Sequence, residues 1–133
     1  MAVAYFIVLE KKIENLNGSM DGKMLARASE VLDDIATRHG VRPLTGFTSI
    51  DPVDAGAFFK SEGIEIENVQ LPPLQQFTAE EGLATVKALI THLQLQPTAV
   101  RNIDALLQEL RDCERILIAA RDLGVKWHFE VNV

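Results

Sequence analysis

The two ends of the chain carry the hydrophobic patterns of β-strands. Apolar and polar residues alternate strictly over residues 125–133, which predicts a half-buried strand with Trp127 facing the core. Residues 2–10, AVAYFIVLE, are instead apolar on both alternating faces. A strand of this kind is normally covered on both sides. We therefore predict that the first strand is central in its sheet rather than an exposed edge.

Three stretches with apolar residues at every third or fourth position predict amphipathic helices. They cover residues 21–39, residues 79–96, and residues 98 or 102 to 123. Gly40 and Gly124 follow the first and third stretches, at the position where a left-handed residue ends a helix. Thr78 and Glu81 have the spacing of a capping box at the start of the second.

Residues 42–78, called the arm below, lack this periodicity. The arm holds four of the five prolines, four of the six phenylalanines, and five acidic against two basic residues. We predict a short helix over residues 52–61 and a short edge strand over residues 64–69. Long irregular connections are uncommon in compact domains and are often functional. Either the arm or a second subunit is expected to cover the second face of the first strand.

The order of these elements predicts one α+β domain spanning residues 1–133. Its short sheet contains both terminal strands and is packed by three main helices plus one short helix. The length of 133 residues and the apolar fraction of 47% exclude a disordered chain, and a single cysteine excludes a disulfide scaffold. The net charge of −6 argues against nucleic acid as a partner.

The longest unbroken apolar stretch, residues 1–9, bears on the cellular compartment that the sequence predicts. It is much shorter than the roughly 20 residues that span a bilayer, so no membrane association is expected. No basic residue precedes it and no small-residue cleavage site follows it, which argues against a secretory signal. The pattern therefore predicts a cytoplasmic protein.

No motif with a known catalytic mechanism occurs, and the best fragment is His128 with Glu130. Residues two apart in a strand project from the same face, so the imidazole and the carboxylate are predicted to lie side by side, with Lys126 adjoining. Such a trio could transfer protons or supply two ligands to a metal. The alternative is that these residues form only the polar side of the last strand.

The remaining reactive side chains have structural interpretations. His39 and His92 fall at the C-terminal ends of two predicted helices, where they favour a capping role through the helix dipole over metal ligation. Cys113 lies on the inward stripe of the third helix and is expected to be a core residue with an unperturbed thiol. We expect no cofactor and no metal, and whether the three histidines meet in space is left open.

Several segments together resemble a family of small bacterial proteins to which no activity is assigned. They are AYFIVLEK near the start, DGKMLARASEVLDDIA, the stretch Asp51-Pro52-Val53-Asp54-Ala55, FTAEEGLATVKALITHL, and GVKWHFEV near the end. The resemblance covers most of the chain and implies a bacterial, cytosolic protein. It implies no cofactor and no functional residue.

The sequence favours a non-catalytic protein-interaction or regulatory module, because it combines an acidic surface with the arm. The candidate partner-binding residues are Phe47, Phe58, Phe59 and Asp51, and the partner is another protein or a second copy of the chain. One alternative is a small-molecule or metal-dependent enzyme built around His128 and Glu130. Another is a protein that binds a ligand in an apolar pocket between sheet and helices.

Overall fold

The fold is α+β, as predicted. The computed structural model describes residues 3–18, 20–49, 63 and 73–132. Its elements are β1 (Ala4–Leu9), α1 (Lys23–Arg27), α2 (Ser29–Arg38), a 3-10 helix (Leu44–Phe47), α3 (Ala79–Leu95), α4 (Ile103–Leu123) and β2 (Trp127–Asn132). The helix predicted over residues 52–61 and the strand predicted over residues 64–69 lie outside the described residues. None of the described helices combines the length and the hydropathy that a bilayer crossing requires.

Both terminal strands form one antiparallel sheet, β1–β2. The register places Ile7 opposite Phe129 and Val8 opposite His128. Residues that face each other in an antiparallel pair project from the same side of the sheet. One side therefore carries the core residues Ile7, Trp127 and Phe129, and the other carries Phe6, Val8, His128 and Glu130.

In the described part of the chain, β2 pairs with other segments on both of its edges, whereas β1 forms a ladder only with β2. The other edge of β1 has one backbone hydrogen bond, from the N–H of Tyr5 to the C=O of Gly22 at 3.1 Å. The N–H and C=O of Trp127 exchange hydrogen bonds of 2.9 and 2.8 Å with Phe77, and the N–H of Ser49 donates to the C=O of Phe129 at 3.0 Å. Both ends of the arm thus extend the sheet at β2. The predicted central position of β1 is corrected accordingly, and its Phe6 side chain is 37% exposed.

Both helix-ending glycines behave as predicted. Gly40 has φ = 70° and Gly124 has φ = 67°, in the left-handed region that glycine adopts at little cost. After Gly40, the N–H of Val41 reaches back to the C=O of Ala36 at 3.1 Å. After Gly124, the N–H of Val125 reaches the C=O of Ala120 at 2.9 Å. Both ends are therefore Schellman motifs, which satisfy carbonyls that the helix leaves unpaired.

The helix predicted over residues 21–39 is divided at Ala28 into α1 and α2. The N-cap residue of α1, Gly22, has no side chain, and of the first N–H groups only that of Lys23 finds a local carboxylate, Asp21 at 3.1 Å. Glu109, which is buried on α4, supplies the cap instead: its carboxylate accepts the N–H of Met24 at 3.2 Å and of Leu25 at 3.0 Å. A carboxylate from one helix thus fixes the start of another.

Trp127 is the centre of the core. Its fully buried indole ring stacks on Phe47 at 4.9 Å between ring centroids, meets Phe129 edge to face at 4.8 Å, and donates its N–H to the C=O of Thr78 at 3.0 Å. Phe47, proposed from the sequence as a partner-binding residue, is therefore fully buried against the tryptophan. Its side chain is not available to a partner in this structure.

Gly82 on α3 makes room for this tryptophan. A Cβ atom at position 82 would overlap the Trp127 ring, so helix and strand can approach this closely only because the residue is glycine. Thr78, one turn earlier, accepts the N–H of Glu81 on its hydroxyl at 3.3 Å and donates to the Glu81 carboxylate at 3.2 Å. The predicted capping residues therefore start α3 beside the indole.

We expect Gly82→Ala to destabilise the protein by about 1 kcal/mol or more. Overpacking a core costs about 1–3 kcal/mol, and the overlap with several atoms of the buried ring places this cost in the upper part of the range. It therefore exceeds the gain of up to about 1 kcal/mol in helix propensity. Urea denaturation measures the change. Ala84→Gly, at an exposed position of α3, measures the propensity effect alone. If Gly82→Ala raises stability by the amount that Ala84→Gly lowers it, the Trp127 contact imposes no constraint.

Glu109 also makes stability depend on pH. Burial raises the pKa of the Glu109 carboxyl above 4.5, although the two backbone N–H groups oppose this shift. The folded state therefore binds the proton more tightly than the unfolded state, and this stabilisation is present below the unfolded pKa and lost as pH rises through the folded pKa.

Glu109→Gln should remove that part of the pH dependence. Urea midpoints measured from pH 4 upward are expected to fall more steeply for the natural chain than for the variant. Glu30→Gln, at an exposed position of α2, provides the control and should retain the natural slope. Identical slopes for Glu109→Gln and the natural chain would contradict the assignment.

Candidate functional site

His128 and Glu130 lie together on β2, as their spacing predicts. The Nε2 atom of His128 is 2.7 Å from Oε2 of Glu130. Its Nδ1 atom is 3.0 Å from Oε1 of Gln76, a residue that sequence reasoning missed. The imidazole is only 1% exposed. The predicted polar side of the strand is therefore a buried cluster at this position.

Gln76 reaches His128 because of the neighbouring ladder. Phe77 and Trp127 exchange backbone hydrogen bonds, which places the residue before Phe77 beside the residue after Trp127. The two positions are 52 residues apart in the chain, and no motif connects them. Gln76 could have been predicted as a partner of His128 only from the pairing of the arm's end with β2.

Both ring nitrogens of His128 are engaged. A carboxylate accepts only, whereas an amide can present either its oxygen or its NH2 group. An imidazolium satisfies the contacts by donating from both nitrogens. A neutral ring satisfies them when one nitrogen donates and the other accepts. In each arrangement no lone pair of the ring remains free, so a role as a base towards a substrate requires Gln76 to move.

Lys126 does not complete the predicted trio. Its backbone N–H donates to Oε1 of Glu10 at 3.1 Å, and its C=O accepts the N–H of Glu10 at 2.9 Å. Among the described residues, its exposed side chain makes no hydrogen bond or ion pair. The site is therefore the histidine–glutamate pair with Gln76 rather than with the lysine.

The other two histidines meet each other instead of joining His128. Nε2 of His39 lies 3.0 Å from Nδ1 of His92, with the rings at 83° and their centroids 5.2 Å apart. One ring donates and the other accepts, so at least one of them is neutral. Across the described residues, no three His, Cys, Asp or Glu side chains lie close enough together to hold a metal.

Cys113 is a core residue, as predicted, and its thiol is perturbed. It is completely buried, and burial raises the pKa of the thiol. Nearby carboxylates act in the same direction. Because the thiolate is the reactive form, the upward shift makes the group still less reactive than expected from the sequence.

The partner-binding candidates divide between the core and the undescribed chain. Phe47 is in the core, and Phe58, Phe59 and Asp51 lie outside the described residues. Three other apolar side chains are exposed at the end of the sheet where β1 begins and β2 ends: Val3 at 43%, Phe6 at 37% and Val131 at 40%. We call Val3, Phe6 and Val131 the sheet-end surface.

His128→Phe tests whether the buried cluster is structural. The substitution keeps an aromatic ring but leaves Gln76 and Glu130 without their partner, and we expect a loss of about 1–3 kcal/mol in the free energy of unfolding. Lys126→Gln, at the exposed position just before β2, should stay within about 0.5 kcal/mol of the natural chain. Urea denaturation compares them. Unchanged stability of His128→Phe would show that the cluster does not support the fold.

Comparisons with protein-family models, with curated proteins and with solved structures gave no match to this chain. The resemblance to a bacterial family therefore stays a prediction.

Proposed function

We propose that this protein is a non-catalytic interaction module that binds another protein through the sheet-end surface. The supporting observation is the exposure of Val3, just before β1, of Phe6 on β1 and of Val131 on β2. The other large side chains of these strands are mostly buried or half-buried. In line with the sequence prediction, we place this activity in the bacterial cytosol.

The arrangement of these three side chains distinguishes them from other exposed apolar residues. Leu95 and Leu123 are more exposed, but each lies at the end of a helix, and single exposed apolar residues are normal. Val131 lies opposite Tyr5 in the register, and Phe6 follows Tyr5. The sheet therefore presents apolar groups from both of its faces at one end, which suits a partner with an apolar cleft.

Charge favours a different protein over a second copy. The chain carries 19 acidic and 13 basic residues, a net charge of −6. Two identical acidic chains repel each other, whereas a basic rim around the partner's cleft would be attracted. We therefore expect a partner with an apolar centre and a basic rim.

The environment of His128 supports the non-catalytic assignment. The ring is almost completely buried, and Gln76 and Glu130 occupy both nitrogens. A buried polar cluster whose members satisfy one another specifies a unique packing. We assign the cluster the role of holding β2 and the end of the arm together.

An enzyme built around His128 and Glu130 is the second candidate function. The observation that favours it is the 2.7 Å contact, since a carboxylate that orients an imidazole is a common arrangement in proton transfer. It requires an opening to solvent and the displacement of Gln76. A variant at His128 that retains full stability would favour this candidate.

A photoreactive phenylalanine at position 6 tests the interaction in cells. We expect a discrete crosslinked species that Val131→Ser abolishes. The same photoreactive residue at position 95, where Leu95 is also exposed, should give no such species. The captured protein is then purified and titrated against the natural chain and against Phe6→Ser. The variant's affinity should be lower by about tenfold or more, as expected for the loss of an aromatic anchor.

The outcomes separate the alternatives. Equal affinity of Phe6→Ser and the natural chain would overturn the proposal. A crosslinked species that consists of two copies of this chain would replace the partner protein by a homodimer, and sedimentation of the purified chain would confirm it. Circular dichroism of each variant establishes that its fold is retained.

A further inference from the structure

An open cavity of about 380 Å³ lies where α1 meets α2 and the chain enters α4. Ligand sites for small molecules typically measure about 300–1,000 Å³, so the volume suits a small ligand. The sequence suggested a pocket between sheet and helices. This cavity, which we call the helix groove, is instead lined by helix residues and by the loop before α4.

The groove has an apolar lining. Met24, Ala28 and Val100 are half-buried and pack against the main core. Val31, also part of the lining, is 43% exposed. Hydrocarbon placed on these side chains would remove apolar surface from water, which favours binding.

Two arginines add positive charge to the same groove. Arg27, at the end of α1, and Arg101, in the loop before α4, both line it. Arg38, Arg115 and Arg121 each form an ion pair with an aspartate. Within the residues described, Arg27 and Arg101 have no acidic partner. Their charge is therefore available to a ligand, although the chain as a whole is acidic.

Asn102 provides a further polar group. It lines the groove, adopts φ = 55°, and makes no side-chain capping bond to α4. A left-handed conformation is uncommon for residues other than glycine, although asparagine tolerates it better than most. Its amide can donate a hydrogen bond beside the two guanidinium groups.

We propose that the helix groove binds a small anionic amphiphile. The carboxylate or phosphate head contacts Arg27 and Arg101, since the planar guanidinium matches the geometry of both anions. The short hydrocarbon part lies on Met24, Val31 and Val100. This site uses none of the residues of the sheet-end surface, so it stands independently of the proposed interaction function.

Nuclear magnetic resonance titration of the full chain with four probes tests the proposal. Octanoate and octyl phosphate combine an anionic head with hydrocarbon, 1-octanol lacks the charge, and inorganic phosphate lacks the hydrocarbon. We expect octanoate or octyl phosphate to shift the backbone amide signals of the groove residues saturably. Binding of 1-octanol should be at least about tenfold weaker, equivalent to 1.4 kcal/mol. The relative affinities of octanoate and octyl phosphate distinguish a carboxylate from a phosphate ligand.

Matched variants connect binding to the groove. Arg27→Gln and Arg101→Gln should each weaken octanoate or octyl phosphate binding about tenfold. Arg111→Gln, at an exposed position of α4 outside the groove, should leave it unchanged. At the exposed position 31, Val31→Glu should weaken binding through repulsion, whereas Val31→Lys should retain it. The two variants at position 31 test the role of positive charge in the groove even if an arginine variant fails to fold.

Three results would overturn the proposal. The first is 1-octanol binding as tightly as octanoate and octyl phosphate. The second is unchanged affinity in both arginine variants, or equal affinities of Val31→Glu and Val31→Lys. The third is the absence of saturable shifts in the groove at octanoate or octyl phosphate concentrations up to about 10 mM, which would mean that any affinity is weaker than millimolar.

Discussion

The close approach of Trp127 to Gly82 is the constraint on which the rest of the structure depends. The indole fills the space that a side chain on α3 would occupy, and its N–H is satisfied by the C=O of Thr78. Phe47 and Phe129 pack against the same ring. The last strand, α3 and the 3-10 helix are thereby joined around one side chain. A buried ring with so many fixed neighbours leaves little freedom in the placement of β2.

The placement of β2 in turn determines the environment of His128. Because side chains alternate along a strand, the residue after Trp127 projects to the opposite side of the sheet. The backbone pairing of Trp127 with Phe77 brings Gln76 to that side, where Glu130 already lies. The same ladder that buries the tryptophan thus completes a polar cluster behind it. The burial of His128 and both of its ring contacts therefore follow from the pairing that positions Trp127.

The sheet-end surface and the helix groove differ in charge and in exposed apolar groups. The chain is acidic overall, yet Arg27 and Arg101 share one groove. Among the described residues, neither of them forms an ion pair with an acidic side chain, unlike three other arginines. The sheet-end surface has apolar groups and suits a macromolecular partner. The groove has apolar groups with cations and suits a small anion. The two surfaces therefore differ in chemistry as well as in the elements that form them.

Local patterns in the sequence determined the strands, the helix ends at Gly40 and Gly124, and the adjacency of His128 and Glu130, because each depends on residues a few positions apart. The sequence did not determine which strand is central, the burial of Phe47, or the partners Gln76 and Glu109. Glu109 on the inward stripe of α4 was a signal, since a carboxylate there needs donors. Which donors it finds, and which histidines meet, was decided by the tertiary structure, because packing brings together groups that the chain separates.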